Sequence, residues 1–135
     1  NGVPVKPGLR ELLAWLKQAH ILCAVATSTF TNVAIGYLKN AGVLNCFAAI
    51  VGGDQVTKSK PDPEIFQLAM RALGKQTPET CVVFEDSRNG LLAGASGGFP
   101  VIVVPDLFDP TLELPGLCYA RCARLDEAID VIQNS

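Results

Sequence analysis

Three groups of polar residues follow short apolar runs, and together they could bind a phosphoryl group. Thr27-Ser28-Thr29 follows the first run, Lys60 lies in the loop after the second, and Glu85-Asp86 follows the third. Hydroxyls and helix N-terminal amides donate hydrogen bonds to phosphate oxygens, and a lysine offsets their negative charge. A pair of carboxylates is typical of Mg²⁺ sites, because this cation prefers oxygen ligands. The pattern therefore indicates phosphate chemistry with a bound Mg²⁺.

Each group also has a purely structural interpretation. Thr27-Ser28-Thr29 could merely cap the next helix, since Ser and Thr are good N-caps. Lys60 alone could be a surface lysine, and Glu85-Asp86 could be a solvated helix start, where carboxylates are favoured. We interpret Asp62 as electrostatic support for the following helix and His20 as a loop residue. The functional interpretation depends on the three groups occurring together, in order, each after a strand.

Apolar runs alternate with helical patterns along the chain. Strands are predicted at 21–26, 47–51, 81–84 and 101–104, with a short one near 117–120, and helices at about 9–16, 31–40, 61–73, 89–96 and 125–132. This rhythm predicts an α/β fold with a mostly parallel sheet and flanking helices. In such sheets ligands bind beyond the carboxyl ends of the strands. The three polar groups, with Asp54 after the second run, should therefore meet on one rim.

Composition excludes several classes of function. The 135 residues are 49% hydrophobic and 18% charged, which is typical of one folded domain. A net charge of −2 without blocks of like charge predicts no nucleic-acid or acidic-membrane partner. No apolar run approaches the ~20 residues of a membrane helix. The five scattered cysteines indicate reduced thiols and a cytoplasmic setting, and Cys118 and Cys122 lack the second ligand pair of a zinc site.

Three strings of residues contain these polar groups: Val25-Ala26-Thr27-Ser28-Thr29, then Ser59-Lys60-Pro61-Asp62-Pro63-Glu64-Ile65-Phe66, and then Val82-Val83-Phe84-Glu85-Asp86-Ser87-Arg88-Asn89-Gly90. They resemble motifs II, III and IV of the haloacid dehalogenase superfamily. The nearest branch contains β-phosphoglucomutase-like proteins and sugar-phosphate or nucleotide phosphatases. The resemblance extends from Pro7 to the last helix, so residues 1–135 are expected to form the C-terminal part of that family's Rossmann-like core domain.

The resemblance implies a role for each matching residue. Thr27 is implied to hydrogen-bond the transferring phosphoryl group, with Ser28 close to the same phosphate. Lys60 is implied to steady the nucleophile and the phosphate charge as a catalytic residue. Asp86 is implied to bind Mg²⁺, with Glu85 assisting directly or through water. The implied activity is Mg²⁺-dependent hydrolysis of small phosphorylated metabolites, with a phosphomutase as an alternative.

The sequence departs from the family pattern at motif I. No Asp-x-Asp follows an apolar run, although in the family that motif supplies the nucleophile that becomes an aspartyl-phosphate. The family's central first strand, which lies between the strands carrying motifs II and IV, and its helical cap have no counterpart. Because the chain opens with Asn1 rather than Met, we expect an upstream segment, or a second chain, to complete the sheet. The alternative is an inactive fragment or relic that serves as an anion-binding or interaction module.

Overall fold

The computed structural model describes residues 6–105 and 109–134 of the chain. Helices and strands alternate in the predicted order, and every pair of neighbouring strands is parallel. The α/β class is therefore confirmed. The helices are α1 (Leu9–Gln18), α2 (Thr31–Asn40), α3 (Glu64–Ala72), α4 (Arg88–Ser96) and α5 (Ala128–Gln133), and the strands are β1 (Ala24–Ala26), β2 (Ala49–Val51), β3 (Val83–Glu85), β4 (Val101–Val103) and β5 (Ala120–Arg121).

The start of the third helix differs from its prediction. The sequence pattern placed Pro61 at the first helical position, whereas α3 begins at Glu64. The Asp62 side chain accepts a hydrogen bond from the Glu64 backbone N–H at 2.9 Å, and the Asp62 N–H donates to the Ser59 carbonyl at 3.0 Å. These bonds hold the segment before Glu64 in a turn. Asp62 thus supports the start of α3, as expected of a carboxylate at a helix N-terminus.

The strands form two separate parallel sheets. One contains β1 and β2, and the other has the order β3-β4-β5. Val25 lies opposite Ile50 in the first sheet, and Phe84 lies opposite Ile102 in the second. Within residues 6–105 and 109–134, no strand pairs with the second edge of β1 or of β3.

Strand β4 is the centre of the hydrophobic core. Its alternate side chains point to opposite faces, as in any strand. Val101 and Val103 pack among residues of α3 and α4, whereas Ile102 and Val104 pack among residues of α1 and α5. Val103 and Ile102 are both 0% exposed. Helices therefore cover both faces of the three-stranded sheet, as a parallel sheet requires.

The free edge of β1 presents backbone groups of alternate residues. The Thr27 N–H donates to the Val51 carbonyl at 2.9 Å, so this residue faces β2. Because neighbouring residues of a strand direct their N–H and C=O groups to opposite sides, Ala24 and Ala26 direct theirs away from β2. On β3, the Glu85 carbonyl accepts a hydrogen bond from the Val104 N–H at 3.0 Å. The backbone N–H and C=O groups of the preceding residue, Phe84, therefore point away from β4.

Candidate active site

The ammonium group of Lys60 lies at the carboxyl ends of both β1 and β3. Its Nζ is 2.7 Å from Glu85 Oε2, the last residue of β3, and 3.4 Å from the carbonyl oxygen of Ala26, the last residue of β1. The lysine and glutamate side chains are only 11% and 10% exposed. The same ammonium is 5.0 Å from the centre of the Phe66 ring, within range of a cation–π interaction. Lys60 therefore bridges the two sheets from a largely buried position.

The loop that carries Lys60 is fixed by the first turn of α3. The Glu64 carboxylate accepts hydrogen bonds from the backbone N–H groups of Thr57 at 3.0 Å and Lys58 at 2.9 Å. These two bonds, from Thr57 first and Lys58 second, hold the pKa of Glu64 below its usual value. Phe66, two residues further on, makes an edge-on contact with Phe99. Lys60 therefore lies on a loop that is hydrogen-bonded to the packed helix α3.

The buried ion pair leaves donor capacity for an anion. A lysine ammonium has three N–H donors. In the described part of the chain it meets two acceptors, the Glu85 carboxylate and the Ala26 carbonyl. Burying an ion pair costs desolvation energy that the mutual attraction does not reliably recover. An arrangement of this kind suits a site that must stabilise negative charge away from water.

Both oxygens of the Glu85 carboxylate accept hydrogen bonds. Oε2 contacts Lys60, and Oε1 accepts from the Ser87 hydroxyl at 3.2 Å. The Ser87 oxygen in turn accepts from the Gly90 N–H at 3.0 Å and caps α4. A side chain at Gly90 would collide with the Glu85 carboxylate. Glu85 therefore orients Lys60, and its predicted contribution to metal binding remains a prediction.

Asp86 is more open to solvent than Glu85. Its side chain is 42% exposed, and Oδ2 is 3.2 Å from Lys6 Nζ. A cavity of about 150 Å³ lies beside it, lined by Lys6, Phe84, Glu85, Asp86, Val104 and Leu125. Among the described residues, no group of three or more His, Cys, Asp or Glu side chains could enclose a metal. The oxygen donors present suit Mg²⁺, which commonly binds one or two carboxylates together with substrate phosphate.

Thr27 and Ser28 lie where β1 ends, next to the Ala26 carbonyl that contacts Lys60. The Thr27 hydroxyl oxygen accepts a hydrogen bond from the Thr29 N–H at 3.1 Å. Over residues 6–105 and 109–134, nothing accepts the proton of this hydroxyl, which can therefore donate to a phosphate oxygen. Ser28 is exposed beside it. The predicted binding role of both residues fits this geometry and remains a prediction.

The capping interpretation of Thr27-Ser28-Thr29 is wrong. Helix α2 has Phe30 at its N-cap, and no side chain of the preceding segment caps it. The first helical N–H, that of Thr31, donates instead to Asp54 Oδ1 at 2.7 Å. Asp54 reaches this helix from the loop after β2. The three polar residues after β1 therefore do not cap α2.

The sequence placed Asp54 on the functional rim without a specific role, and it gave no separate role to Lys6 or Ser87. Ser87 carried a readable signal, because a serine directly before a helical pattern is a typical N-cap. The contacts of Lys6 with Asp86 and of Asp54 with Thr31 join residues far apart in the sequence. No local pattern predicts such pairs. The sequence therefore located the residues that follow the strands but not the long-range contacts that hold them in position.

Comparison with known proteins identifies the family of this chain. Residues 1–98 match the family model described as haloacid dehalogenase-like hydrolase. The chain belongs to the haloacid dehalogenase-like hydrolase family. It is 44% identical over 92 residues to the phosphorylated carbohydrates phosphatase of Thermotoga maritima, covering 68% of this chain and 42% of that protein. It is also 38% identical over 117 residues to protein CbbY of Cereibacter sphaeroides, covering 84% and 50% respectively.

Solved structures of haloacid dehalogenase-like proteins share this fold. A Thermotoga maritima protein provisionally described as a β-phosphoglucomutase superposes with a TM-score of 0.83 at 36% identity, covering 95% of this chain and 59% of that one. The chain thus spans about half the length of the curated relatives named above. The resemblance read from the three motifs is confirmed at the level of family and fold. Hydrolases of this family generally use Mg²⁺.

Proposed function

We propose that the full-length protein is a Mg²⁺-dependent phosphatase of small phosphorylated metabolites, with phosphorylated carbohydrates as the first class to test. The observation that carries the proposal is the buried Lys60–Glu85 pair, which joins the carboxyl ends of two sheets whose facing edges are unpaired in the described residues. The printed activity of the Thermotoga maritima relative, a phosphorylated carbohydrates phosphatase, supports the substrate class.

An upstream segment would supply what these residues lack. A parallel strand added between β1 and β3 would join the two sheets into one and satisfy the backbone groups of Ala24, Ala26 and Phe84. Unpaired strand edges favour such addition. An aspartate at the carboxyl end of that strand would lie beside Lys60, which stands at the ends of both neighbours. A second chain is the other possible source of the strand.

The chemistry would proceed in two displacements. A carboxylate oxygen of the first aspartate of the upstream Asp-x-Asp attacks phosphorus, the bond from phosphorus to the sugar oxygen breaks, and the second aspartate of that motif donates its proton to the leaving alkoxide. Water then attacks the phosphorus of the aspartyl-phosphate, which releases inorganic phosphate and restores the carboxylate. Lys60 offsets the charge that develops on the phosphoryl oxygens, and Thr27 and Ser28 donate hydrogen bonds to them. Mg²⁺ held by Asp86, with Glu85 directly or through water, would supply further charge neutralisation.

The test is phosphate release by the full-length protein from a panel of sugar phosphates and from p-nitrophenyl phosphate. Turnover should require Mg²⁺ and stop in EDTA. The matched variants are Lys60→Met and Lys58→Met, since both lysines lie in one loop but only Lys60 contacts Glu85. We expect loss of turnover for the first variant and near-normal turnover for the second. A full-length protein that folds and hydrolyses none of these esters would contradict the proposal and favour an anion-binding or interaction module.

A phosphomutase is the second candidate, because the chain resembles a structure provisionally described as a β-phosphoglucomutase at 36% identity. The two activities share the same first displacement and differ in the acceptor of the phosphoryl group. A mutase would convert β-glucose 1-phosphate to glucose 6-phosphate faster than it releases inorganic phosphate. A coupled assay for glucose 6-phosphate, run beside a phosphate assay, separates the two activities.

The proposed setting of the enzyme is cytoplasmic. The structure describes no helix that is long and apolar enough to cross a membrane. All five cysteines are free thiols, a state that reducing compartments maintain. Burial raises the pKa of Cys23, the thiol beside β1, and a nearby Cys46 adds to the effect. Alkylation of the protein in unreduced cell extracts should label free thiols rather than reveal disulfides.

A further inference from the structure

Asp54 holds the start of α2 from a distance of 23 residues in the chain. Its Oδ1 accepts from the Thr31 backbone N–H at 2.7 Å and from the Thr31 hydroxyl at 2.8 Å. These bonds, the hydroxyl first and the backbone second, hold the pKa of Asp54 below its ordinary value. The carboxylate is therefore ionised at neutral pH and lies at a helix N-terminus, where negative charge is favoured.

The Thr31 hydroxyl uses its full hydrogen-bonding capacity. A hydroxyl has one donor and two acceptor positions. This one donates to Asp54 and accepts from the Gly52 N–H at 3.2 Å and from Gln55 Nε2 at 2.7 Å. Gln55 also donates to the Ile50 carbonyl at 3.1 Å. The segment after β2 is thereby tied to the first residue of α2 by a closed network.

The network continues to the residues proposed to bind phosphate. The Gly53 N–H donates to the Thr29 carbonyl at 2.8 Å, and the Thr29 N–H donates to the Thr27 hydroxyl at 3.1 Å. A side chain at Gly53 would collide with the carbonyl oxygen of Ser28. The loop after β2 therefore lies directly against the backbone of the loop after β1.

We infer that Asp54 is a positioning residue: through Thr31 and Gly53 it fixes the loop that presents the Thr27 and Ser28 hydroxyls to the phosphoryl group. The inference rests on the proposed phosphatase function. Asp54 does not contact the phosphate itself. Its effect passes through the hydrogen bonds that set the position of the loop, and a displacement of about 1 Å in a catalytic group can cost about 100-fold in rate.

Helix capping alone would make a different prediction. A residue that only stabilises α2 would change the melting temperature and leave turnover of the folded protein intact. A positioning residue changes turnover in the folded protein and weakens phosphate binding. The distinction requires a control that removes the same kind of bond elsewhere. Asp109 offers it, because its Oδ1 accepts from the Thr111 N–H at 2.9 Å and from the Thr111 hydroxyl at 2.6 Å.

The experiment compares Asp54→Ala, Asp54→Asn, Gly53→Ala and the control Asp109→Ala in the full-length protein, each assayed well below its melting temperature. The readouts are kcat and KM for p-nitrophenyl phosphate and the inhibition constant of inorganic phosphate. We expect Asp54→Ala and Gly53→Ala to lower kcat at least about tenfold and to weaken inhibition by phosphate. Asparagine keeps the oxygen acceptor, so Asp54→Asn should stay within about threefold of the wild type. Asp109→Ala should retain normal kcat.

Each outcome decides between the two accounts. Equal kcat in folded Asp54→Ala and Asp109→Ala would overturn the inference, as would an Asp54→Asn variant as impaired as Asp54→Ala. If Asp54→Ala does not fold, the two other variants still test the inference. Gly53→Ala displaces the loop and should lower kcat, whereas Asp54→Asn removes only the charge and should not. Lack of turnover in the wild type would instead refute the phosphatase proposal. An active wild type that requires Lys60 but tolerates Asp54→Ala refutes only the positioning role.

Discussion

Strands β4 and β1 belong to the same α/β architecture but lie in opposite environments. β4 has a parallel neighbour on each side and helices on both faces, and Val101, Ile102 and Val103 are at most 1% exposed. All three residues of β1 are partly exposed, and in the described residues only one of its edges is paired. The functional residues cluster at the less complete of the two regions. Over the residues that the structure describes, the core around β4 is therefore enclosed on both faces and edges, whereas β1 keeps one unpaired edge at the candidate site.

The hydrophobic core and the candidate site therefore depend on different strands of the molecule. The core around β4 is built from side chains of α1, α3, α4 and α5. The site around Lys60 depends on the ends of β1 and β3, which are brought together by one ammonium group. We therefore propose that the open side is the place where the remainder of a haloacid dehalogenase-like enzyme completes the sheet.

The largest expected effect comes from the residue that links the two regions. Lys60→Ala in the full-length protein should reduce turnover by about 10³-fold or more, because a charge-stabilising group is lost from a site with little water. Lys58→Ala is the matched control and should change turnover little. Steady-state phosphate release measures both. A loss below about tenfold, roughly 1.4 kcal/mol, would contradict the role of Lys60 in the transition state.

The second-largest effect is expected for Asp86, the proposed Mg²⁺ ligand just beyond β3. Asp86→Ala should lower Mg²⁺-dependent turnover by at least about 100-fold, since the metal contributes several kcal/mol of charge stabilisation. Stability should change little, because the side chain is 42% exposed and its ion pair is with a solvent-accessible Lys6. Asp130→Ala on α5 serves as an exposed control. Turnover that is retained at limiting Mg²⁺ would exclude Asp86 as a metal ligand.

A matched pair of valines sharpens the comparison of β4 with β1. Val103→Ala removes two buried methyl groups from β4, and we expect a loss of about 2–3 kcal/mol in the free energy of unfolding. Val25→Ala in partly exposed β1 should cost clearly less in the chain of 135 residues. In the full-length protein the two costs should approach each other, since the added strand would bury Val25. Urea unfolding of both variants in both proteins measures this change.

The smallest effect concerns pH and the loop after β2. The pKa of Asp54 is lowered by the Thr31 hydroxyl and then by the Thr31 N–H. A group with a lowered folded pKa contributes stability above its unfolded pKa of about 3.9 and loses it as the pH falls through the folded value. The difference in melting temperature between wild type and Asp54→Asn should therefore shrink as the pH falls below the unfolded pKa of about 3.9. A difference in melting temperature that grows as the pH falls would contradict this prediction.

The order of elements could be predicted from the sequence because each carries a local pattern. The helical periodicity of α1 and the apolar run of β4 are properties of neighbouring residues. The start of α3 was misplaced because Pro61 is typical of a first helical turn, whereas here Asp62 stabilises a turn that delays the helix to Glu64. Boundaries of this kind depend on which of two local hydrogen-bonding patterns is formed.

The candidate site was predictable only in part. The sequence predicted that Lys60, Glu85 and Asp86 lie at one edge, because parallel strands direct their carboxyl ends to the same side of a sheet. The sequence offered Thr27-Ser28-Thr29 as the alternative cap of α2, whereas Asp54 accepts the first N–H of that helix from another loop. Such a contact is set by the tertiary packing of β1 against β2. Glu85 shows the same limit, because its pairing with Lys60 could not be inferred from its position next to Asp86.

The central claim is that the open edges of β1 and β3 receive one strand that carries the nucleophile. The most direct test is a crystal structure of the full-length protein. We expect a strand from an upstream segment paired in parallel with both β1 and β3, ending in an aspartate whose carboxylate lies within hydrogen-bonding distance of Lys60. Direct pairing of β1 with β3, or an inserted strand without a carboxylate near Lys60, would contradict the account.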